Sequence, residues 1–339
     1  MKVLVLGGTR FLGRHLVQAL LARNHEVTLF NRGRTAPDLF AQVEQIRGDR
    51  DGGAQAFDGL AGRHWDAVID TCGYVPRAVR ASCDALRDAV GTYVFISSIS
   101  VYADFSQPDL TEESALAELA DPASEDVTAH YGALKAACER EVQAVFGPRA
   151  LRVRPGLIVG PFDPTGRFTY WPQRIAAGGE VLAPGEPQAP VQLIDARDLA
   201  EWIVRALGRG PGGVFNATGP AHPLSFGALL AACQLALAST PPATLTWCAE
   251  TFLLAHDVAP WTGLPLWLPA AEQAVHQVSI RRALDAGLSF RPLSATLVDT
   301  LAWTRSPQFA PPSGAYANVG LTREREAELL RLWRARASV

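Results

Sequence analysis

The chain has 339 residues, 48% of them hydrophobic and 19% charged, which is an ordinary globular composition with ample material for one large domain or two smaller ones. Thirty-one basic against thirty-four acidic side chains leave a formal charge of −3, a balance that counts against a nucleic-acid partner. No apolar run approaches membrane-spanning length, and the N-terminus opens directly into a strand pattern without a basic leader, so a cytoplasmic protein with no membrane partner is expected.

Taken in chain order, "KVLVL" (2–6) is a continuous apolar run, as a strand buried on both faces requires. Phe11, Leu12, His15, Leu16, Ala19 and Leu20 then recur at helical spacing on one face. "EVTLF", "VEQIR", "DAVID" and "TYVFIS" follow as further strands, with helical patterns over about 75–89 and 128–145. Strands separated by helices imply parallel pairing, hence an α/β fold with a Rossmann-type doubly wound sheet over residues 1–160. Beyond "LRVRPGLIVGP" the texture changes: Pro and Gly cluster over 155–190, and six of the eight tryptophans lie between 171 and 303. Residues 161–339 are therefore expected to form mostly a smaller C-terminal substrate lobe covering the mouth of the sheet, with segments near 190–220 returning to the core. The final "GLTREREAELLRLWRAR" is an amphipathic helix expected to dock through Leu329, Leu330 and Trp333. The five cysteines (72, 83, 138, 233 and 248) show no CxxC pairing and no histidine at ligand spacing, so buried free thiols and no metal are expected.

The stretch "VLVLGGTRFLG" (3–13) places glycines between a strand and a helix, the context a dinucleotide fingerprint needs. Gly7 allows a tight turn and Gly13 a close helix–strand approach, while the helix N-terminus offers free N–H groups to a diphosphate. The cofactor-binding candidates in this turn are Gly7, Thr9, Arg10, Phe11, Leu12 and Gly13. Arg10 stands where such turns often carry a glycine, and its charge suits the adenosine phosphate end of the crevice. The second strand ends "LFNRGR": the slot that commonly holds an acid for the ribose 2′-hydroxyl contains Asn31, followed by Arg32 and Arg34. Guanidiniums there would welcome a 2′-phosphate, so NADP is expected in preference to NAD. Asp49, in "RGDRD", is placed either to meet the adenine amino group or to form a turn.

"FISSISVYAD" ends the fifth strand, and "YGALK" follows about thirty residues later. Tyr131 and Lys135 are four apart and share one helix face. Serine at a strand's carboxyl end and tyrosine on the next helix converge above such a sheet. A free tyrosine has a pKa near ~10, and a nearby ammonium and oxidised nicotinamide favour the phenolate, so the pair can work as a proton donor and acceptor. Ser98 would hydrogen-bond the substrate oxygen.

Together, "GGTRFLG", "FISSISVY" and "YGALK" resemble the short-chain dehydrogenase/reductase superfamily, in its extended and atypical branches of NAD-dependent epimerase/dehydratase proteins. The resemblance runs specifically through about residue 161 and more loosely beyond. It implies Tyr131 as acid/base, Lys135 as the residue that binds ribose and tunes it, and Ser98 as the catalytic serine, with Ser97 and Ser100 as lesser candidates. Three departures narrow the function. Arg10 replaces the central glycine of GxxGxxG, as in atypical members and the chloroplast stem-loop RNA-binding proteins. Ile99 and Ser100 stand where sugar-nucleotide 4,6-dehydratases carry an Asp-Glu pair, which leaves that elimination without its proton donor. Leu157 and Val159 replace the Asn and Tyr of many nucleotide-sugar enzymes, which counts against such a substrate. The expectation is an NADP-preferring (or NAD-using) oxidoreductase acting on an alcohol or carbonyl of a small or medium substrate, in a chain that could form a homodimer. Sugar epimerisation by transient oxidation, or a cofactor-bound RNA-binding or regulatory role, are the alternatives.

Overall fold

Lys2–Leu6 (β1) is buried on both faces because Val3 and Val5 pack one way and Leu4 and Leu6 the other, all at most 1% exposed. The computed structural model describes residues 1–208, 210 and 212–336. Among them, β1 joins Glu26–Asn31 (β2), Glu44–Arg47 (β3), Trp65–Asp70 (β4), Val90–Ile96 (β5), Ala150–Pro155 (β6) and Gly213–Ala217 (β7) in one sheet. Every pairing is parallel and the order is β7-β6-β5-β4-β1-β2-β3. The order reverses between β1 and β4, where Leu6 pairs with Phe30 on one side and Asp70 on the other. That switch point opens a crevice at the strands' carboxyl ends, the place where doubly wound sheets bind ligands.

Helix Phe11–Ala22 (α1) packs beside Ala196–Leu207 (α4), and an Arg23–Glu201 ion pair at 2.6 Å ties them. Pro76–Leu86 (α2) and Val127–Phe146 (α3) pack together with Leu4, Leu6, Val68, Tyr93 and Phe95 in one apolar core. A buried network fixes α3 to the sheet: Arg154 of β6 donates to both oxygens of Glu139 at 2.9 and 2.7 Å and to the Tyr102 hydroxyl at 3.1 Å. The Tyr102 hydroxyl in turn donates to Asn216 of β7 at 2.5 Å.

The chain divides into two compact units. The first comprises Met1–Ile158, Ala196–Ala221 and Val278–Ser289. The last of these segments is not legible in the sequence; it is held by Asn216 Nδ2 donating to Ser279 O at 3.0 Å and Trp202 Nε1 donating to Ala286 O at 3.2 Å. The second comprises Val159–Asp195, His222–Gln277 and Phe290–Val339. Within it, Gly179–Pro184 pairs in parallel with Ala243–Cys248, and the fully buried Trp171 meets Phe226 edge-on at 5.2 Å. Its final helix, Arg323–Arg336, buries Leu329 and Leu330 and sets Trp333 against Phe252 at 4.9 Å. The sequence reading missed Glu326, buried on the same helix, which accepts from Arg174 Nε at 2.6 Å and from the Leu182 N–H at 3.0 Å. All five cysteines are free, and no helix among the described residues is long and apolar enough to cross a membrane.

Candidate active site

Behind β1 the chain turns through Gly7 and Gly8 at φ +100° and +91°, conformations that side chains rarely adopt. A β-carbon on Gly7 would strike the Thr71 hydroxyl. One on Gly13 would come within 3.0 Å of the Gly8 backbone, so Gly8 and Gly13 together set how closely α1 approaches the turn. Arg10 is the N-cap of α1, in extended backbone, and makes no side-chain capping bond; no acid occupies the first turn. The N–H groups that a Ser or Asp cap would satisfy are thus left for another acceptor. Thr9 is half-buried, Phe11 opens the helix at φ +39°, and Leu12 packs into the core. These features fit a dinucleotide diphosphate. The charge of Arg10 also reaches the phenol of Tyr74, just beyond β4.

At the neighbouring strand ends, Asn31 Nδ2 donates to Gly7 O at 3.2 Å, and its Oδ1 accepts from the Gly33 N–H at 2.8 Å and from Arg47 Nη1. Asn31 therefore welds the glycine turn to the β2–β3 turn. Arg47 is its direct ladder partner across β2 and β3, and its guanidinium lies flat against Gly33. Arg34 is exposed. Arg32 and Asp49, expected to serve different parts of the adenosine, stand 3.9 Å apart as a half-exposed ion pair. Asp49 also accepts from the Asp51 N–H at 3.3 Å, a turn-forming contact.

At the carboxyl end of β5, Ser98 is buried; its Oγ accepts from the Ser100 N–H at 3.1 Å and donates to Ser100 Oγ at 3.0 Å. Ser97 Oγ is buried without a partner, and Ser100 is exposed. Asp126 caps α3 through the N–H groups of Thr128 and Ala129, both at 3.0 Å. The helix then kinks at His130 (φ −128°, ψ 28°), and Tyr131 follows the kink, 37% exposed. One turn on, Lys135 is 3% exposed, and its Nζ donates to Gly73 O at 2.7 Å and Ile96 O at 2.5 Å. Burial is the largest influence on this ammonium and brings it down to about 8. Gly132, between the two, packs against the Ser100 carbonyl, so α3 and the serine turn meet backbone to backbone.

Beneath Lys135, Asp70 at the end of β4 is fully buried and receives Arg50 on both oxygens, at 2.6 and 3.0 Å, and the Tyr93 hydroxyl at 2.9 Å. Burial alone would push this carboxyl up, but Arg50 overrides it and holds Asp70 below the usual carboxylate range.

The structure brings Ser98, Tyr131 and Lys135 to one end of the sheet, and the glycine turn with Asn31 and Arg32 to its neighbouring edge. Sequence reasoning missed Gly8, Arg47, Tyr74 and Gly132. The doubled glycine was a signal for Gly8, and the glycine inside "YGALK" one for Gly132; Arg47 and Tyr74 carry none, because only strand register and the β4 turn bring them in.

The family model described as "NAD dependent epimerase/dehydratase family" matches residues 3–218. The chain is 28% identical over 250 residues to the chloroplast stem-loop binding protein of 41 kDa b of Arabidopsis thaliana, covering 69% of this chain and 63% of that protein. It is 32% identical over 184 residues to the 2-alkyl-3-oxoalkanoate reductase of Stenotrophomonas maltophilia, covering 48% of this chain and 52% of the reductase. The chain thus spans between half and two thirds of the length of these relatives. In fold it is similar to the UDP-glucuronic acid 4-epimerase of Bacillus cereus in complex with NAD, with a TM-score of 0.63, 17% identity, and coverage of 90% of this chain and 99% of that one. With the glycine turn, the strand-end serine and the Tyr131–Lys135 pair in place, the chain belongs to the NAD-dependent epimerase/dehydratase family.

Proposed function

We propose that the protein is an NAD(P)-dependent oxidoreductase that interconverts an alcohol and a carbonyl on a small or medium substrate, with Tyr131 as its acid/base. The observation that carries this reading is the buried Lys135 ammonium, held by two backbone carbonyls one turn below Tyr131. An ammonium has three donors, so one N–H remains for a ribose hydroxyl. Its charge, little screened by water at this depth, would favour the phenolate of a tyrosine one helical turn away. The nicotinamide would supply or accept the hydride. Tyr131 gives a proton to the substrate oxygen during reduction, or takes it during oxidation. The Ser98 hydroxyl, which now donates to Ser100 Oγ, can rotate to donate to that oxygen and stabilise charge developing there. Arg10 and the uncapped α1 terminus would face the diphosphate. Arg32, Arg34 and Arg47 around Asn31 favour a 2′-phosphate, hence NADP over NAD.

Similarity to a named reductase favours net reduction, and the same three side chains would also serve epimerisation by transient oxidation. Mass spectrometry of the nucleotide released from purified protein, with titration of NADPH and NADH, tests the reading. NADP(H) or NAD(H) bound in stoichiometric amount is expected; no binding of either dinucleotide would overturn it.

A further inference from the structure

The Lys135 slot has an unequal lining. Gly73 O and Ile96 O accept its protons, and the buried ring of Phe95 lies 4.3 Å from Nζ. The fourth wall is Tyr74, whose ring centre is 5.3 Å from Nζ, within cation–π range. Lys135 is 3% exposed and Tyr74 is 47% exposed, so the ammonium lies buried against a ring that itself reaches the surface. Tyr74 directly follows Gly73, whose carbonyl holds the same ammonium, and its phenol is close enough to respond to both Tyr131 and Arg10.

The lysine itself is unusual in this chain. Lys2 and Lys135 are the two lysines among 31 basic side chains, the rest being arginine. Lysine gives up its proton on burial far more readily than arginine, which makes a buried lysine suited to tuning a neighbouring acid/base.

We propose that Tyr74 is a positioning residue for Lys135: its ring covers one face of the ammonium and keeps it seated on the Gly73 and Ile96 carbonyls, one helical turn from Tyr131. The proposal rests on the reading of Lys135 as the partner of the acid/base. A ring is suited to the task because it excludes water while presenting a face of negative potential to the cation. The Tyr74 phenol stays neutral, pushed up to about 12 first by burial and then by Tyr131 and Cys72, although the residue as a whole is half exposed. The other groups acting on the ammonium are Asp70 from β4, Cys138 and Glu139 from α3, and Arg50 from the segment after β3.

With only two lysines, the full-length protein labelled with 13C at lysine Cε gives two signals, and Lys2→Arg assigns them. Lys135 is expected to titrate near 8 in the unmutated chain. In Tyr74→Ala water reaches the ammonium, and its midpoint should rise by about one unit as burial is relieved. Tyr74→Phe, which keeps the ring, should restore the original midpoint. An unchanged midpoint in Tyr74→Ala, or a shift in Tyr74→Phe as large as in Tyr74→Ala, would overturn the proposal. The titration needs neither nucleotide nor substrate. Failure of both dinucleotides to bind would therefore sink the oxidoreductase reading and leave this result to stand or fall separately.

Discussion

The α-carbon of Gly132, one residue beyond Tyr131, packs against the backbone carbonyl of Ser100, two residues beyond Ser98. This contact sets the spacing between the proposed acid/base helix and the serine turn. A β-carbon there would overlap the oxygen, and both partners are backbone, so no flexible side chain can swing away. Alanine favours a helix over glycine by about 1 kcal/mol, whereas overpacking costs about 1–3 kcal/mol. We therefore expect Gly132→Ala to melt at a lower temperature despite its better propensity. Turnover should fall by up to about a hundredfold, since small misplacements of reacting groups have that effect. Calorimetry and kcat/KM check it; a raised Tm with undiminished turnover would show that the close approach does not set the geometry.

Cofactor choice should separate three residues at the adenosine end. NADPH should bind more tightly than NADH. Arg32→Ala and Arg47→Ala should each lower NADPH affinity about ten- to a hundredfold, the equivalent of about 1.5–3 kcal/mol for a charge-assisted bond, with little effect on NADH. Asp49→Ala tests the 3.9 Å pair with Arg32. If Asp49 meets the adenine, both dinucleotides weaken; if it only restrains Arg32, NADPH affinity holds or rises. Equal titration curves for NADPH and NADH in the unmutated protein would remove the basis for NADP preference.

The sheet was readable because burial on both faces leaves a run such as "KVLVL" with no polar residue to interrupt it. Tyr131 and Lys135 were readable for a similar reason, since a four-residue separation is a property of one helix. What escaped depends on pairs distant in the chain. Arg47 reaches Asn31 through the β2–β3 register, and Arg32 meets Asp49 just beyond the carboxyl ends of the same two strands. Tyr74 reaches Lys135 through a turn 61 residues away in sequence. The placement of Val278–Ser289 beside β7 depends on single hydrogen bonds such as Asn216 to Ser279, which have no periodicity to announce them.

His276 gives the second unit a pH dependence of defined sign. It is buried and neutral: Nδ1 accepts from the Gln192 N–H at 3.3 Å, and Nε2 faces Leu266 O at 3.3 Å. Burial pulls it from 6.5 down to about 4. The unfolded chain therefore binds a proton that the folded one refuses between those values, and stability falls as pH drops from 6.5 toward 4. The loss attributable to this ring is about 3 kcal/mol. Denaturant melts should show a shallower acid-side decline in His276→Leu, even though that variant starts lower at neutral pH. An identical slope in both proteins would exclude His276 as the source.

The similarity to a stem-loop binding protein makes RNA a direct comparison. With a formal charge of −3, binding to structured RNA should be weak and fall steeply with salt, because it would rest on phosphate contacts. Filter binding across a salt series measures this; tight, salt-resistant capture of a defined stem-loop would reorder the functional assignment.

The sharpest test concerns Tyr131, Lys135 and Ser98 as a working set. Tyr131→Phe removes a single hydroxyl from a partly exposed side chain, so folding and nucleotide binding should be unchanged. Turnover should fall by ~10²–10⁴-fold, the usual contribution of a positioned acid/base. Lys135→Met should reduce both turnover and cofactor affinity, because the ammonium has two assignments; it should also disturb the Gly73 and Ile96 carbonyls that now accept its protons. Ser98→Ala should lower kcat with little change in KM, since its bond to the substrate oxygen strengthens only as charge develops. A screen of carbonyl compounds against NADPH oxidation supplies the substrate for these measurements. Unmutated rates in Tyr131→Phe would show that the tyrosine is not the acid/base, and that the family's constellation survives here as architecture alone.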